Sequence, residues 1–318
     1  MTTAWVIGGT GLLGMALCRV LRRNGTELFC PAERFNWHSH GELCAQLTAA
    51  VQAFASKAEV SDRWEIYWAA GVGTMGSAQD ALAPETRALA LVLQLLASEP
   101  RLMAAPGAVA FASSAGAIYA GSHDDVITEN TSPAPTTAYA REKLRQEDLI
   151  SAFALANSRT TALLARISTI YGPGQASGKQ QGLLTHIARR ILRNQPIQIY
   201  VPYDTIRDYI AVDDAAIEMV SALGITSTNN RTLTKIIASE HPTTIAEIIS
   251  VFRRIARRSP RIVTSASKLS ALYSRRVQFR SVVLPERSRA PKKSLLIGIA
   301  QLMMAERAAY VRSTKNLC

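Results

Sequence analysis

With 318 residues, 48% of them hydrophobic and 19% charged, the chain has the composition of a globular protein with a large core, which excludes a disordered or fibrous chain. No stretch reaches the roughly 20 apolar residues of a membrane-spanning helix, and the first residues lack a secretion-signal pattern, so we expect a cytoplasmic protein without a membrane span. The net charge is +12, and neither the five histidines nor the four cysteines are spaced like metal ligands, so no metal is expected.

The first half of the chain alternates predicted strands with predicted helices, which is typical of a parallel sheet with helices on both faces. The predicted strands are 4–8, 27–30, 64–70, 108–113 and 161–168. The predicted helices are 11–23, 41–57, 85–98 and 139–156. The pattern predicts an α/β fold built on a Rossmann-type, doubly wound parallel sheet.

The alternation loosens in the second half of the chain. A basic amphipathic helix is predicted at 183–194 and a short strand at 232–238. A further helix is predicted over 244–257, because Thr244 and Glu247 have the spacing of a capping box. This looser pattern predicts a smaller region that follows the sheet in sequence.

We therefore divide the chain into a Rossmann domain at 1–170 and a smaller C-terminal α/β substrate-binding cap at 171–318. Residues 200–225 are expected to rejoin the Rossmann sheet. The cap would cover the carboxyl edge of that sheet, where open α/β sheets bind their ligands.

A glycine-rich loop follows the first predicted strand directly and begins the next helix. Glycines at this spacing let the backbone approach a pyrophosphate, and the N–H groups of the helix that follows point at the phosphates. The sequence therefore predicts a dinucleotide site in this loop. Its predicted cofactor-binding residues are Gly8, Thr10, Gly11, Leu12, Leu13 and Gly14.

The choice of dinucleotide depends on the end of the second predicted strand, where Ala32 is followed by Glu33 and Arg34. A carboxylate there favours NAD, whereas an arginine can pair with the 2′-phosphate of NADP. Since both types are present, NAD and NADP both stay open. Ala69 and Ala70, at the end of the third predicted strand, are also predicted to line the cofactor site.

Tyr139 and Lys143 stand one helical turn apart, and Tyr139 lies 25 residues downstream of Ser114. Residues four apart share a helix face, so the Lys143 ammonium can lie beside the phenol. A phenol has a pKa of about 10, and a neighbouring cation lowers it. Such a tyrosine could act as an acid or base beside a bound nicotinamide. Strand register favours Ser114 as the hydroxyl that bonds the reacting oxygen, with Ser113 as the alternative.

With these motifs, the chain resembles the extended short-chain dehydrogenase/reductases, in the NAD(P)-dependent epimerase/dehydratase branch that acts on nucleotide sugars. Residues 166–174 match the Arg-x-x-x-x-Tyr-Gly-Pro-Gly signature of that branch, and residues 207–214 match its Arg-Asp-Tyr-x-x-Val-x-Asp stretch. The resemblance implies that Ser114, Tyr139 and Lys143 are catalytic, and that the tyrosine and the lysine also contact the cofactor.

The resemblance further implies that Ser113, Ser114 and Arg207 bind the substrate. Arg207 would clamp the nucleotide diphosphate, a task suited to a forked guanidinium; the alternative is a structural ion pair with Asp208 or Asp213. The chain also departs from the family pattern. It has Arg87 where the family has an asparagine after strand three, and it lacks the family's glycine-rich turn before Arg207.

Absent residues narrow the reaction that the resemblance implies. The family's 4,6-dehydratases have an Asp-Glu pair after the catalytic hydroxyl, where this chain has residues 115–117, Ala-Gly-Ala. Epimerase-reductases of the family need a cysteine and a histidine, and this segment has no cysteine. Hydride transfer at one carbinol of a nucleotide sugar remains. A 4-epimerase is favoured, and a ketosugar reductase or dehydrogenase is the alternative.

A non-catalytic alternative rests on the charge distribution. Residues 251–293 hold 13 lysines and arginines and one acid, Glu286. This stretch would suit a dinucleotide-binding sensor or an RNA-associated protein. Because few aromatic residues interleave with the charges and no nucleic-acid module is recognisable, a solvated face near an acidic substrate is favoured.

The resemblance also implies a homodimer, paired through the helix after strand three and the helix of Tyr139.

Overall fold

The computed structural model describes residues 1–175, 182–226, 231–264, 276–284 and 291–315. The strands are β1 (Thr2–Ile7), β2 (Glu27–Phe29), β3 (Arg63–Trp68), β4 (Gly107–Ser114), β5 (Thr160–Ile167), β6 (Thr169–Tyr171), β7 (Ile197–Ile199), β8 (Ile206–Ala211), β9 (Thr232–Ile237), β10 (Pro242–Thr244) and β11 (Ile262–Thr264). The helices are α1 (Leu12–Arg23), α2 (His40–Ala58), α3 (Gln79–Ala97), α4 (Pro100–Ala104), α5 (Ala115–Ile118), α6 (Ala138–Ala156), α7 (Leu183–Leu192), α8 (Val212–Leu223), α9 (Ile245–Ala256) and α10 (Leu295–Lys315).

A six-stranded sheet runs through the centre of the molecule in the order β2-β1-β3-β4-β5-β9. All of its neighbouring strands are parallel. The chain leaves β1 toward β2 on one side and reaches β3 on the other, so the strand order reverses at the carboxyl ends of β1 and β3. A doubly wound sheet forms its ligand crevice at such a point. The predicted α/β fold is confirmed.

Helices cover both faces of this sheet, because its strands carry large apolar side chains on each side. On one face α2, α3 and α6 bury a core that contains Trp5, Trp64 and Phe111. On the other face α1 and α8 pack over Tyr67 and Leu163. The near-continuous hydrophobic runs of β3, β4 and β5 are those expected of parallel strands buried on both faces.

The second half of the chain forms a smaller α/β region. Its sheets are the three-stranded β10-β8-β6 and the two-stranded β11-β7, and its core is built largely from α7, α9 and α10. The segment 200–225 supplies β8 to the smaller sheet and α8 to a face of the large one, whereas β9 adds the edge strand of the large sheet. The division into domains at residue 170 stays a prediction.

Two local patterns show how far the sequence specified the helices. The capping box is confirmed, since Thr244 Oγ1 accepts from the Glu247 N–H and the Glu247 carboxylate accepts from the Thr244 N–H. The prediction that α3 starts at residue 85 is wrong, because the helix begins at Gln79 and contains Pro84. A proline this close to the helix start removes one intrahelical hydrogen bond, and the buried Leu82 anchors the preceding turn.

None of the described helices is both long enough and apolar enough to cross a membrane.

Candidate active site

The glycine-rich loop lies against the end of β3, as a dinucleotide cradle requires. Gly8 has φ +88°, and a Cβ added there would stand 2.5 Å from the Ala70 backbone nitrogen and 2.7 Å from the Ala69 carbonyl carbon. A Cβ on Gly14 would stand 2.1 Å from the Gly8 carbonyl oxygen. A side chain at either position would break the turn, so the loop needs glycine at both.

The start of α1 presents backbone N–H groups without a competing anion. Its N-cap residue is Gly11, which has no side chain to cap the helix, and the first turn contains no acidic residue. Thr10 is exposed, Leu12 is half-buried and Leu13 is buried. The loop and the helix N-terminus therefore fit the pyrophosphate of a dinucleotide.

Glu33 and Arg34 follow β2 in the loop that leads to α2, and both side chains are exposed. The Gln46 side-chain amide donates to the Arg34 carbonyl oxygen over 3.3 Å. The two residues lie in the loop after the strand that neighbours β1, and their contact with the adenosine ribose stays a prediction.

Tyr139 and Ser114 meet where α6 begins and β4 ends. Thr137 caps α6 by accepting from the Ala140 N–H over 3.2 Å, which places Tyr139 in the first helical turn. Ser114 is the last residue of β4, and its hydroxyl lies close enough to the half-buried Tyr139 phenol to lower the pKa of that phenol. The structure therefore brings together the serine and the tyrosine that the motifs selected.

Lys143 lies one turn further along α6 and is almost completely buried, with 6% of its surface exposed. Its Nζ donates to the Ala112 carbonyl over 3.4 Å, and lies 4.8 Å from the Phe111 ring centroid and 5.8 Å from the Tyr139 centroid. Burial lowers the pKa of the Lys143 ammonium to about 8, although Glu85 and Glu147 act in the opposite direction.

The phenol does not have the lowered pKa that the sequence predicted. Burial raises the pKa of Tyr139 to about 12, the negative charge of Glu85 adds to the rise, and the hydrogen bond from Ser114 only partly opposes it. The sequence argument included the cation one turn away but not burial or the carboxylate of α3. At neutral pH this phenol is protonated.

Ser113 belongs to a separate buried network. Its hydroxyl donates to the Glu147 carboxylate over 2.5 Å, and Arg166 forms a bidentate ion pair with the same carboxylate, with a shortest contact of 2.6 Å. Arg166 also donates to the Tyr119 hydroxyl over 2.6 Å. Burial acts to lower the pKa of Arg166. The hydrogen bonds and the negative charge of Glu147 outweigh burial, so the pKa of Arg166 is raised. Ser114 is thus the serine that acts on the Tyr139 phenol, whereas Ser113 bonds Glu147.

The reasoning from sequence missed two acidic residues of the site, Glu85 and Glu147. Glu147 stands four residues after Lys143, so the helical spacing that identified the tyrosine and lysine could have found it. Glu85 carries no such signal. It lies on α3, and its Oε1 accepts from the backbone N–H groups of Val72 and Gly73 over 2.6 and 2.7 Å.

Arg207 lies on β8 and is half-buried, and its Nη1 donates to the Ile206 carbonyl over 2.8 Å. Asp208 and Asp213, the alternative ion-pair partners of Arg207, each contact other residues. Asp208 accepts from the hydroxyls of Ser168 and Ser239, whereas Asp213 pairs with Arg19 and Lys293. The substrate-binding role of Arg207 stays a prediction.

Part of the basic stretch is neutralised within the fold. Lys292 and Lys293 form ion pairs with Glu218 and Asp213, at 3.3 and 3.0 Å. Other members lie on the surface around the C-terminal end of α9. Residues 265–275 and 285–290 of this stretch lie outside the described residues.

The model of the NAD dependent epimerase/dehydratase family matches residues 4–236, and the chain belongs to this family. Membership confirms the predicted class, an NAD(P)-dependent enzyme with a Rossmann fold. A segment of 96 residues is 31% identical to the dTDP-L-rhamnose 4-epimerase of Burkholderia thailandensis and covers 30% of this chain. A segment of 107 residues is 32% identical to the dTDP-4-dehydro-6-deoxyglucose reductase of Escherichia coli and covers 33% of this chain.

These matches span only 26% and 33% of the lengths of the two relatives. Among solved structures, the Thermus thermophilus UDP-glucose 4-epimerase in complex with NAD superposes with a TM-score of 0.79 at 18% identity, over 97% of this chain and 100% of the other. At this identity the likeness shows the fold alone, and that fold is shared over nearly the whole chain.

Proposed function

We propose that the chain catalyses NAD(P)-dependent hydride transfer at a single carbinol carbon of a nucleotide sugar, as a sugar 4-epimerase. The observation that carries this proposal is the meeting of Ser114, Tyr139 and Lys143 at the carboxyl edge of the sheet. The Gly8 turn contacts the backbone of Ala69 and Ala70, and three residues further along the chain a Cβ added to Gly73 would stand 3.2 Å from the Tyr139 ring. The names of both curated relatives support chemistry at C4 of a dTDP-sugar.

Each residue of this group has one task in the proposed reaction. A bound nicotinamide would accept and return the hydride. Tyr139 Oη would exchange a proton with the sugar hydroxyl, and Ser114 Oγ would hold the same sugar oxygen by a hydrogen bond. Lys143, charged below its pKa of about 8, would favour the ionised phenol when the proton leaves. Arg207 would hold the diphosphate of the substrate.

A reductase of nucleotide ketosugars is the second candidate, and one observation favours it. Because the pKa of Tyr139 is raised to about 12, the phenol holds its proton at neutral pH. A protonated phenol is ready to donate to the oxygen of a ketone as hydride arrives at the carbon, which is the reductive direction.

A sugar labelled with deuterium at C4 distinguishes the two reactions. Purified protein would be incubated with NAD and C4-deuterated dTDP- and UDP-hexoses, and the products analysed by NMR. A 4-epimerase returns the deuterium to C4 of the inverted product without net reduction of NAD. A reductase instead oxidises added NADPH or NADH in the presence of a 4-ketosugar. Absence of both reactions with every sugar tested would contradict the proposal.

The remaining predictions concern partners and location. We propose a homodimer through α3 and α6, which sedimentation at micromolar concentration tests directly, since a monomer there would contradict it. Salt-sensitive RNA binding by residues 251–293 would instead favour the non-catalytic alternative. A cytoplasmic location stays a prediction.

A further inference from the structure

The chain between β3 and α3 contacts the ring of Tyr139, and its first residues hydrogen-bond one carboxylate. We call residues 71–73 the β3 loop. Glu85 Oε1 accepts from the Val72 and Gly73 N–H groups over 2.6 and 2.7 Å. A Cβ added to Gly71, which has φ +149°, would stand 3.1 Å from Glu85 Oε2, so this glycine also lies against the carboxylate.

The β3 loop approaches one side of the Tyr139 ring at Gly73. A Cβ added to Gly73 would stand 3.2 Å from Tyr139 Cδ2 and 2.4 Å from Leu82 Cδ2. Gly73 therefore fills the space between the catalytic ring and α3, with no room for a larger residue. The loop begins immediately after Ala70, whose backbone contacts the Gly8 turn.

No apolar side chain of the β3 loop fixes its position. Val72 is 74% exposed, and the residues on both sides of it are glycines, which restrict the backbone least. Ordering such a segment costs conformational entropy that its own packing does not offset. The charge-assisted hydrogen bonds to Glu85 are the described contacts that supply the order.

We propose that Glu85 is a positioning residue for the reaction proposed above, which holds the β3 loop on the Tyr139 ring and so keeps the phenol beside Ser114. Glu85 affects the position of the phenol indirectly, because it binds the β3 loop and the loop contacts the ring. Glu85 itself does not need to contact the substrate. This role rests on the proposed function. It is specific to a hydrogen-bond acceptor at position 85, which an amide oxygen can replace and a methyl group cannot.

The carboxylate also has an electrostatic consequence for the charged groups around the phenol. Burial and then Glu85 on α3 raise the pKa of Tyr139, while Ser114 on β4 opposes the rise. Burial lowers the pKa of Lys143, and Glu85 and Glu147 on α6 oppose that fall. Removing the negative charge of Glu85 while keeping its shape therefore lowers the pKa of the phenol. This shift reports the location of Glu85 without any catalysis.

The first test compares Glu85→Ala with Glu85→Gln, and uses Asp80→Asn as the control because Asp80 is an exposed acid on the same helix. We expect Glu85→Ala to lower kcat on the order of 100-fold, as a displaced catalytic group does. Glu85→Gln should stay within about threefold of the wild type, since its amide oxygen accepts the same two bonds. A Glu85→Ala enzyme within about twofold of the wild type, or a Glu85→Gln enzyme as impaired as Glu85→Ala, would overturn the proposal.

Gly73→Ala provides a second variant if Glu85→Ala does not fold. It leaves the carboxylate in place and pushes the loop away from Leu82 and the ring, so a comparable loss of kcat is expected. Gly76→Ala is its control, because a Cβ there would come no closer than 4.0 Å to Thr74 Oγ1. Unchanged turnover in Gly73→Ala would overturn the role of the loop.

The second test separates this proposal from the proposed reaction. The phenol of Tyr139 is titrated by ultraviolet difference absorbance, with Tyr139→Phe as the reference, in the absence of substrate. In Glu85→Gln its pKa should fall by roughly one unit, because a negative charge facing the phenol is removed. An unchanged pKa would overturn the placement of Glu85, even if no nucleotide sugar were turned over. A lowered pKa in a protein without turnover would leave Glu85 in place and reject only the reaction.

Discussion

Two sets of polar side chains each take a serine from the end of β4 and a residue from α6, and they behave differently. The open set borders the crevice at the carboxyl edge of the sheet and consists of Ser114, Tyr139 and Lys143. The closed set is buried one turn further along α6 and consists of Ser113, Glu147, Arg166 and Tyr119. Adjacent serines on one strand thus contribute to different sets.

The difference lies in how completely the charged groups are satisfied. In the closed set, Glu147 accepts from both a hydroxyl and a guanidinium, and its charge is balanced by Arg166. In the open set, the Lys143 ammonium donates a long hydrogen bond of 3.4 Å to the Ala112 carbonyl, and burial shifts the pKa of both Lys143 and Tyr139. Incomplete satisfaction of this kind is typical of catalytic groups.

Removing the hydroxyl of Tyr139 from the open set, or of Tyr119 from the closed set, should give the largest difference between the two sets in kcat and stability. Tyr139→Phe eliminates the proposed proton donor, so kcat should fall about 10²- to 10⁴-fold while the melting temperature changes little. Tyr119→Phe leaves an Arg166 N–H without its acceptor, so it should lower the unfolding free energy by about 1.5–3 kcal/mol and leave kcat near that of the wild type. Turnover and thermal unfolding measured on both variants check this. Equal losses of kcat would break the distinction between the sets.

Breaking the ion pair of the closed set should mainly affect stability. Arg166→Met leaves the Glu147 carboxylate buried without its counter-charge, which should cost about 3–5 kcal/mol of unfolding free energy. The double variant Glu147→Met with Arg166→Met removes both charges and should recover most of that loss. Chemical denaturation of the three proteins provides the measurement. If the double variant were less stable than Arg166→Met, the pair would not be the source of the loss.

The buried lysine of the open set predicts a pH-dependent cost. Its pKa is about 8 in the folded protein, below the ordinary 10.5, so between these values the unfolded chain binds more protons and stability rises with pH. Lys143→Met removes this pH-dependent contribution to the unfolding free energy. The stability of the wild type relative to Lys143→Met should therefore increase by on the order of 3 kcal/mol from about pH 8 to about pH 10.5. A difference that does not change with pH would contradict the burial of a charged lysine.

The sequence predicted the sheet, the glycine-rich loop and the open set because each depends on local spacing. Gly8, Gly11 and Gly14 follow a strand directly, and Tyr139 and Lys143 are one turn apart, so their placement needs no knowledge of distant contacts. The predicted start of α3 at residue 85 was wrong, because α3 begins six residues earlier and contains Pro84.

The sequence could not predict the environment of the phenol. The pKa of Tyr139 depends on burial and on Glu85, which lies 54 positions earlier in the chain and reaches the site only when α3 packs against α6. The separation of Ser113 from Ser114 likewise depends on Glu147 and Arg166, which meet only in the folded sheet. Long-range packing, and not residue type, decides these roles.

Ser113→Ala and Ser114→Ala give the smallest expected effects and the sharpest comparison, since the two residues are neighbours. Ser113→Ala removes one hydrogen bond to a buried carboxylate, so it should cost about 1.5–3 kcal/mol of stability and leave kcat little changed. Ser114→Ala removes the hydrogen bond that we propose to the reacting oxygen, and a loss of the same size in the transition state lowers kcat about 10- to 100-fold. Denaturation and turnover measured together give the answer. If Ser113→Ala lost turnover and Ser114→Ala lost stability, the two sets would exchange their roles, and Ser113 would be the serine that holds the substrate.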